Sequence, residues 1–292
     1  MLEVMAPAKL NLTLEVLAKR ENGFHEIRSV AQTINLCDTL RFRLSDSTQF
    51  SCADTDWSAV ESLIAKAVSL LREAAGCSKG VLIEVNKRIP LLSGLSGDSS
   101  DAAATLCGLN RLWGLGQSQE ELLGLAARLG SDVAFFLHGG TALLEGRGEA
   151  VTSLPPFPHT WVVLVLPPVS RMPGKTARLY SSIRARHYSD GSATDRLVAC
   201  LTKGGEVGPP FLFNVFEEVA LGGFSDLELY WQQFLGAGAR EIHLAGSGPA
   251  LFSLVRDRAW AEEICHRLSK LGLKPYLTDT LADSGNIGVK RL

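Results

Sequence analysis

Between Val81–Val85, which reads as a short strand, and a helical stretch starting near Ser99 lies Pro90-Leu91-Leu92-Ser93-Gly94-Leu95-Ser96-Gly97-Asp98-Ser99-Ser100. Glycine and serine at the entrance to a helix suit one kind of chemistry. The first turn of a helix carries unpaired N–H groups and the positive end of its dipole, so it attracts phosphate. Small residues let the backbone approach the anion, and the hydroxyls add donors or a ligand for magnesium. No Gly-Lys-Ser/Thr closes this loop and no Gly-x-Gly-x-x-Gly runs through it, so it is neither of those phosphate motifs. A flexible connection is the plainer reading of its composition; its place before a helix favours the anion site.

Other residues carry chemistry by type. Lys9 and Asn11, two apart, lie on one face of a strand. A lysine among Ala8, Leu10 and Leu12 reads, on its own, as pointing outward. Asp132 follows Gly130-Ser131 and precedes the apolar Val133–Leu137, where an acid either caps the segment or serves a site. Phe24 offers a ring that can stack on a base, and His25 can hydrogen-bond a base edge.

The elements that must hold these residues are legible in part. Residues 2–17 read as strand around Pro7, and Phe24–Leu36 and Thr39–Leu44 as a hairpin pair broken at Cys37-Asp38. Trp57, Val60, Ile64, Ala67 and Leu71 follow a helical period toward Gly76, as do Ala102, Leu106, Leu109 and Trp113 beyond the loop. Ser118-Gln-Glu-Glu121 has the capping-box pattern for a helix ending at Gly130. Residues 139–146 and 161–166 read as strands on either side of Pro155, Pro156 and Pro158, which mark a boundary between lobes 1–155 and 156–292. Residues 186–210 read as surface loop. Leu227, Tyr230, Trp231 and Phe234 mark a helix. Glu241–Ala245, Ala250–Val255 and Lys274–Thr278 follow as strands, with a helix over Trp260–Leu271. The fold class is α+β in two lobes.

Composition narrows the functions. The 292 residues carry 29 Lys and Arg against 31 Asp and Glu, a formal charge of -2, without the basic excess of a nucleic-acid binder. The longest aliphatic run, Trp161–Leu166, is far below the ~20 residues that span a bilayer. No secretory pattern opens the chain. No two of the six cysteines lie closer than 15 residues, which excludes Cys-x-x-Cys metal spacing and favours free thiols in a reducing cytoplasm. Glycine, at 28 residues, exceeds the ~7% average. The expectation is a cytoplasmic protein, monomeric or a weak homodimer, with no nucleic-acid or membrane partner and no metal cluster.

Three segments together resemble the GHMP small-molecule kinases. Pro90–Ala102 is similar to that family's Pro-x-x-x-Gly-Leu-x-Gly-Gly-Ser-Ser-Asp/Asn-Ala, Pro7-Ala8-Lys9-Leu10-Asn11-Leu12 to its N-terminal motif, and Leu244-Ala-Gly-Ser-Gly-Pro249 to its C-terminal turn. Gly23-Phe-His-Glu26, Gly130-Ser-Asp-Val-Ala-Phe-Phe136, Gly139-Gly-Thr141 with Glu145-Gly-Arg-Gly-Glu149, and Asn214 resemble the branch whose acceptor is a cytidylyl-linked methylerythritol of non-mevalonate isoprenoid synthesis. The resemblance implies a ribosomal-protein-S5-domain-2-like N-terminal lobe and a ferredoxin-like C-terminal lobe. It implies ATP and Mg²⁺ held by Pro90–Ser100, and Lys9 and Asp132 as the catalytic pair facing the acceptor. Asn11, Phe24, His25, Gly246 and Ser247 would bind the acceptor, Tyr180 aligns loosely with a further contact, and adenine contacts are expected from 45–60 and Asn86–Arg88. Another alcohol (homoserine, mevalonate or a sugar) and a catalytically silent binding protein are the alternatives. Two departures stand out. Asp98 replaces a glycine, so its carboxylate would oppose phosphate unless it points away, and would pay for any positive φ. Ala250 replaces a threonine.

Overall fold

The computed structural model describes residues 1–60, 62–169, 174–205, 211–282 and 289–291. Two long strands, β1 (Leu2–Lys19) and β2 (His25–Ser45), form an antiparallel hairpin at its centre. Their apolar side chains enter each of four buried clusters: Leu2 and Phe42 in one, Leu14 and Ile27 in the next, Leu10 and Ile34 in a third, Leu12 and Val30 in the fourth. Both faces of the pair are therefore covered along much of its length, and polar residues buried there, among them Lys9, Asn11, Thr13, Glu15, Ser29, Gln32 and Asp38, are held by hydrogen bonds.

The break expected at Cys37-Asp38 does not occur. The chain runs through it as β2, while pairing with β1 shifts register between Pro7 and Ala8, a bulge that absorbs the irregularity. Asp38 is buried there because its Oδ1 accepts the Arg88 and Ile89 backbone N–H groups at 2.5 and 2.8 Å.

Around the hairpin, β3 (Gln49–Cys52), β4 (Gly80–Asn86), β5 (Thr141–Gly146) and β6 (Ala150–Ser153) extend the first sheet. A second sheet of β7 (Trp161–Val165), β9 (His243–Leu244), β10 (Leu251–Val255) and β11 (Pro275–Asp279) runs in the order β11-β7-β10-β9, all antiparallel. Two short strands from beyond residue 155, β8 (Phe213–Asn214) and β12 (Val289–Arg291), pair with β1 and so join the first sheet.

The helices α1 (Leu63–Ala75), α2 (Gly97–Trp113), α3 (Gln119–Leu129) and α4 (Ser131–His138) share one buried cluster with the first sheet, α2 and α4 lying against its strands and α3 packing on the other helices. The capping box of Ser118 and Glu121 forms as expected. Helix α1 starts later than the Trp57 periodicity indicates, and α2 two residues before Ser99. Beyond residue 155 lie α5 (Lys175–Ser182), α6 (Ser192–Thr202), α7 (Phe216–Leu221), α8 (Leu227–Gly236) and α9 (Arg258–Lys270). Helix α6 corrects the loop expected over 186–210, of which 206–210 fall outside the described residues. Its start is capped from far away in sequence, since the buried Glu15 of β1 accepts the Thr194 N–H at 2.7 Å. Its buried stripe (Ala193, Leu197, Leu201) is narrow, and neither feature is conspicuous in a polar stretch.

Candidate active site

The glycine- and serine-rich loop enters α2 through backbone that other elements hold. Leu92 and Ser96 adopt left-handed conformations (φ 56 and 57), as does Gly94 (φ 93). Three carbonyls of the loop are turned into the protein. The Lys175 Nζ donates to Leu92 O at 2.9 Å, Ala250 N to Ser93 O at 3.1 Å, and Lys9 N to Leu95 O at 3.1 Å. A cradle for anions must present N–H groups rather than carbonyls, and these tethers enforce that choice. Gly94 is required by contact as well as by φ, because a Cβ there would lie 2.0 Å from Ala245 O.

Ser96 occupies the N-cap position of α2 but makes no side-chain cap. Its hydroxyl instead donates to Asp132 Oδ2 at 2.6 Å. The first-turn N–H groups are thereby left to a ligand. Ser93, Leu95 and Ser100, expected among the nucleotide contacts, are buried, so their side chains shape the loop rather than line its surface.

The Asp98 carboxylate is engaged by α1. The residue lies inside α2 without positive φ, and its carboxylate accepts the Leu63 N–H at 3.1 Å (Oδ1) and 3.3 Å (Oδ2), capping the start of α1. Ser62, at the N-cap of α1, provides no side-chain cap. Asp98→Ala is therefore expected to lower stability by about 1 kcal/mol, a Tm loss of about 2–4 °C, and to leave KM for ATP unchanged. Thermal melts beside ATP titrations check this, and a KM shifted severalfold without a change in Tm would contradict the assignment. Ala250 is buried in the apolar cluster with the loop's Leu95 and with Phe252, and its backbone N–H is the group that donates to Ser93 O.

Lys9 faces inward, 4% exposed. Its Nζ donates to Asn11 Oδ1 at 2.8 Å and lies 3.5 Å from Asp132 Oδ2. Asn11 Nδ2 in turn donates to Ser29 Oγ at 2.7 Å, which fixes the amide. Asp132 stands in the first turn of α4, where the helix dipole favours a carboxylate, and its side chain is one-third exposed. Both contacts, from Ser96 and Lys9, use Oδ2; neither uses Oδ1. A loop, a strand and a short helix thus bring a hydroxyl, an ammonium and a carboxylate to one point.

An aromatic wall adjoins this cluster. His25 stacks on Tyr180 of α5 (centroids 5.2 Å, planes 27° apart), and Tyr180 meets Phe216 edge-on at 4.8 Å. Burial lowers the His25 pKa, with Lys19 adding to it, so the ring is neutral at pH 7. Burial raises that of Tyr180, and the Asp132 charge adds to it, which ties the wall to the carboxylate. Phe24 is exposed with the Arg147 guanidinium 5.0 Å over its ring. Gly246 packs against Gly94, its turn held by Asn214 Nδ2, which donates to Leu244 O and Gly246 O at 2.8 Å each. Ser247 Oγ lies 3.1 Å from Thr176 Oγ1.

A cavity of about 330 Å³ beside the loop is lined by Pro90, Leu91, Leu92 and Lys175, with Asp54 and Asp56 from the 45–60 region. Within Asn86–Arg88, Lys87 is committed elsewhere: its Nζ is buried between Asp38 Oδ2 (2.5 Å) and Asp101 Oδ2 (2.7 Å) beneath α2. Tyr180 is only weakly marked in the sequence, and Lys175 stands out no more. The Gly174-Lys175-Thr176 tripeptide was the available signal. Among the described residues no cluster of His, Cys, Asp and Glu fits a metal ion, the six cysteines are free, and no helix is long and apolar enough to cross a membrane.

Residues 62–140 match the family model for the GHMP kinases N-terminal domain. A 4-diphosphocytidyl-2-C-methyl-D-erythritol kinase of Dehalococcoides mccartyi is 49% identical over 281 residues, spanning 96% of this chain and 99% of that one. The Gloeobacter violaceus protein of that name is 39% identical over 286 residues, covering 94% and 93%. A crystal structure of 4-(cytidine 5'-diphospho)-2C-methyl-D-erythritol kinase matches with a TM-score of 0.81 at 32% identity, over 95% of this chain and 98% of that one. The homoserine kinase of Cytophaga hutchinsonii shares the fold, with a TM-score of 0.74 at 20% identity over 99% and 96%. Identity at this level over nearly the whole length settles the lineage: the chain belongs to the GHMP kinases and, within them, to the 4-diphosphocytidyl-2-C-methyl-D-erythritol kinase family.

Proposed function

We propose that this kinase transfers the γ-phosphoryl group of ATP to the 2-hydroxyl of 4-diphosphocytidyl-2-C-methyl-D-erythritol, the compound in its relatives' name. The observation that carries the reading is the meeting of Lys9, Asp132 and Ser96 at the mouth of the loop entering α2. Phosphoryl transfer asks for positioning and charge neutralisation more than for covalent chemistry.

The loop backbone and the first turn of α2 grip the triphosphate, with Ser99 at their surface. The acceptor oxygen forms its bond to the γ-phosphorus as the bridging β–γ oxygen departs on ADP. Asp132 takes the hydroxyl proton on Oδ1, the oxygen that Ser96 and Lys9 leave uncommitted. Lys9 stabilises negative charge on the oxygens in flight. Asn11, with Gly246 packed close to it, and Ser247 border the acceptor. Mg²⁺ would supply neutralisation of phosphate charge. The Ser96 and Ser99 hydroxyls at the loop would offer oxygen donors to a hard cation that arrives largely on the phosphates. Neutral His25, flanked by Phe24 and Tyr180, reads the cytosine edge and offers it an aromatic face. ATP and acceptor meet between lobes 1–155 and 156–292.

The His25–Tyr180 wall favours a base-bearing acceptor over homoserine, mevalonate or a sugar, and the paired Lys9 and Asp132 argue against a silent binding protein. ADP release measured across these four alcohols tests the reading. Turnover confined to the cytidylyl compound is expected; turnover of another alcohol alone would overturn the acceptor assignment.

A further inference from the structure

Of the three tethers that turn the loop carbonyls inward, two are backbone N–H groups and one is a side chain. Lys175, the first residue of α5, is buried, and its ammonium donates both to Leu92 O and to Gly248 O in the turn of the second lobe. Among the described residues no carboxylate pairs with it. A buried cation held only on carbonyl oxygens is costly to keep, so its retention calls for a role. The carbonyl it holds belongs to Leu92, a β-substituted residue in left-handed backbone that is unfavourable without outside support. Release of Leu92 would let the peptide turn and present its carbonyl toward a bound phosphate.

We propose that Lys175 is a positioning residue, a latch that ties the nucleotide loop to the Gly246–Pro249 turn and keeps the loop's carbonyls away from the triphosphate. This rests on the reading of the loop as the ATP site. The latch is strongest while the amine is protonated, since a charged donor makes hydrogen bonds about twice as strong as a neutral one. Burial lowers the Lys175 pKa to about 8, and the other charged groups on its cavity wall among the described residues are Asp54 and Asp56. The protonated, tight form therefore prevails below pH 8 and is lost as pH rises through it.

The test is calorimetric binding of a non-hydrolysable ATP analogue with Mg²⁺, beside steady-state kinetics, for the unmodified protein, Lys175→Met and Lys175→Arg. In Lys175→Met, the dissociation constant for the analogue and KM for ATP are expected to rise about tenfold or more, corresponding to the loss of two charge-assisted bonds. There kcat should stay within about threefold and KM for the cytidylyl alcohol within about twofold. In Lys175→Arg, tight binding is expected to be retained. Between pH 7 and 9 the unmodified protein should lose affinity for the analogue several-fold, and Lys175→Arg should not. A folded Lys175→Met that binds the analogue as the unmodified protein does overturns the latch. Should that variant fail to fold, a flat pH profile for the unmodified protein overturns it equally. Absence of turnover with the cytidylyl alcohol would instead sink the acceptor assignment, because analogue binding decides the latch without any acceptor.

Discussion

Asp132→Asn is expected to lower kcat by at least about 10²-fold while KM for ATP changes little. Asparagine keeps the size of the side chain and an oxygen that accepts from Ser96, so α4 and the loop retain their join. What it removes is the ability to take a proton. The proton of the acceptor hydroxyl must leave as the oxygen bonds to phosphorus, and this carboxylate, one-third exposed beside Lys9, is the proton acceptor proposed at the point where loop and strand meet. Coupled ADP release, with a thermal melt to establish that the variant is folded, measures the effect. A loss below tenfold would make the general-base role untenable.

Lys9→Met is the second large effect, a fall in kcat of about 10²–10³-fold, the range seen when one preorganised donor to developing charge is removed. Methionine fills the space of the lysine stem within a strand flanked by buried Ala8 and Leu10, so the change is chiefly one of charge. It also leaves Asn11 Oδ1 without its donor, which costs some stability and belongs in the melt. The double variant adds a sharper reading. If Lys9 and Asp132 act as one unit, Lys9→Met in the Asp132→Asn background should cost far less than in the unmodified protein, as expected for groups whose roles depend on each other. Full additivity would mean that they act separately.

The loop before α2 was legible because its signal is local: glycine and serine between a strand and a helix speak through backbone conformation alone. By the same standard Lys9 reads as pointing outward, whereas it faces inward. Its neighbours mark a buried strand, but which way its ammonium points depends on Asn11, Ser29 and Asp132, brought together only by the fold. Asp98 was open for a related reason, since its own segment does not say which way the carboxylate points. Beside a nucleotide loop a carboxylate looks obstructive, and nothing in its own segment reveals that α1, thirty-odd residues earlier, lacks a side-chain cap for it to replace. The break expected at Cys37-Asp38 is absent because of contacts from outside the segment. Asp38 stays there because backbone N–H groups and Lys87 converge on it from another segment. Helix α6 escaped notice because Glu15 caps it from β1. In each case the missing information was a partner distant in sequence.

The sharing of β1 and β2 among all four apolar clusters, with β8 running parallel to β1, has an evolutionary side. Leu14, Val16 and Ile27 belong to the hairpin yet are covered by Val215, Phe216 and Phe224 from the other half of the chain. The halves are thus poor candidates for exchange with those of a distant relative. A graft at the proline cluster would carry the joint away on the wrong fragment. A change of acceptor preference is open instead to side chains along the rim, whose replacement leaves the shared spine whole.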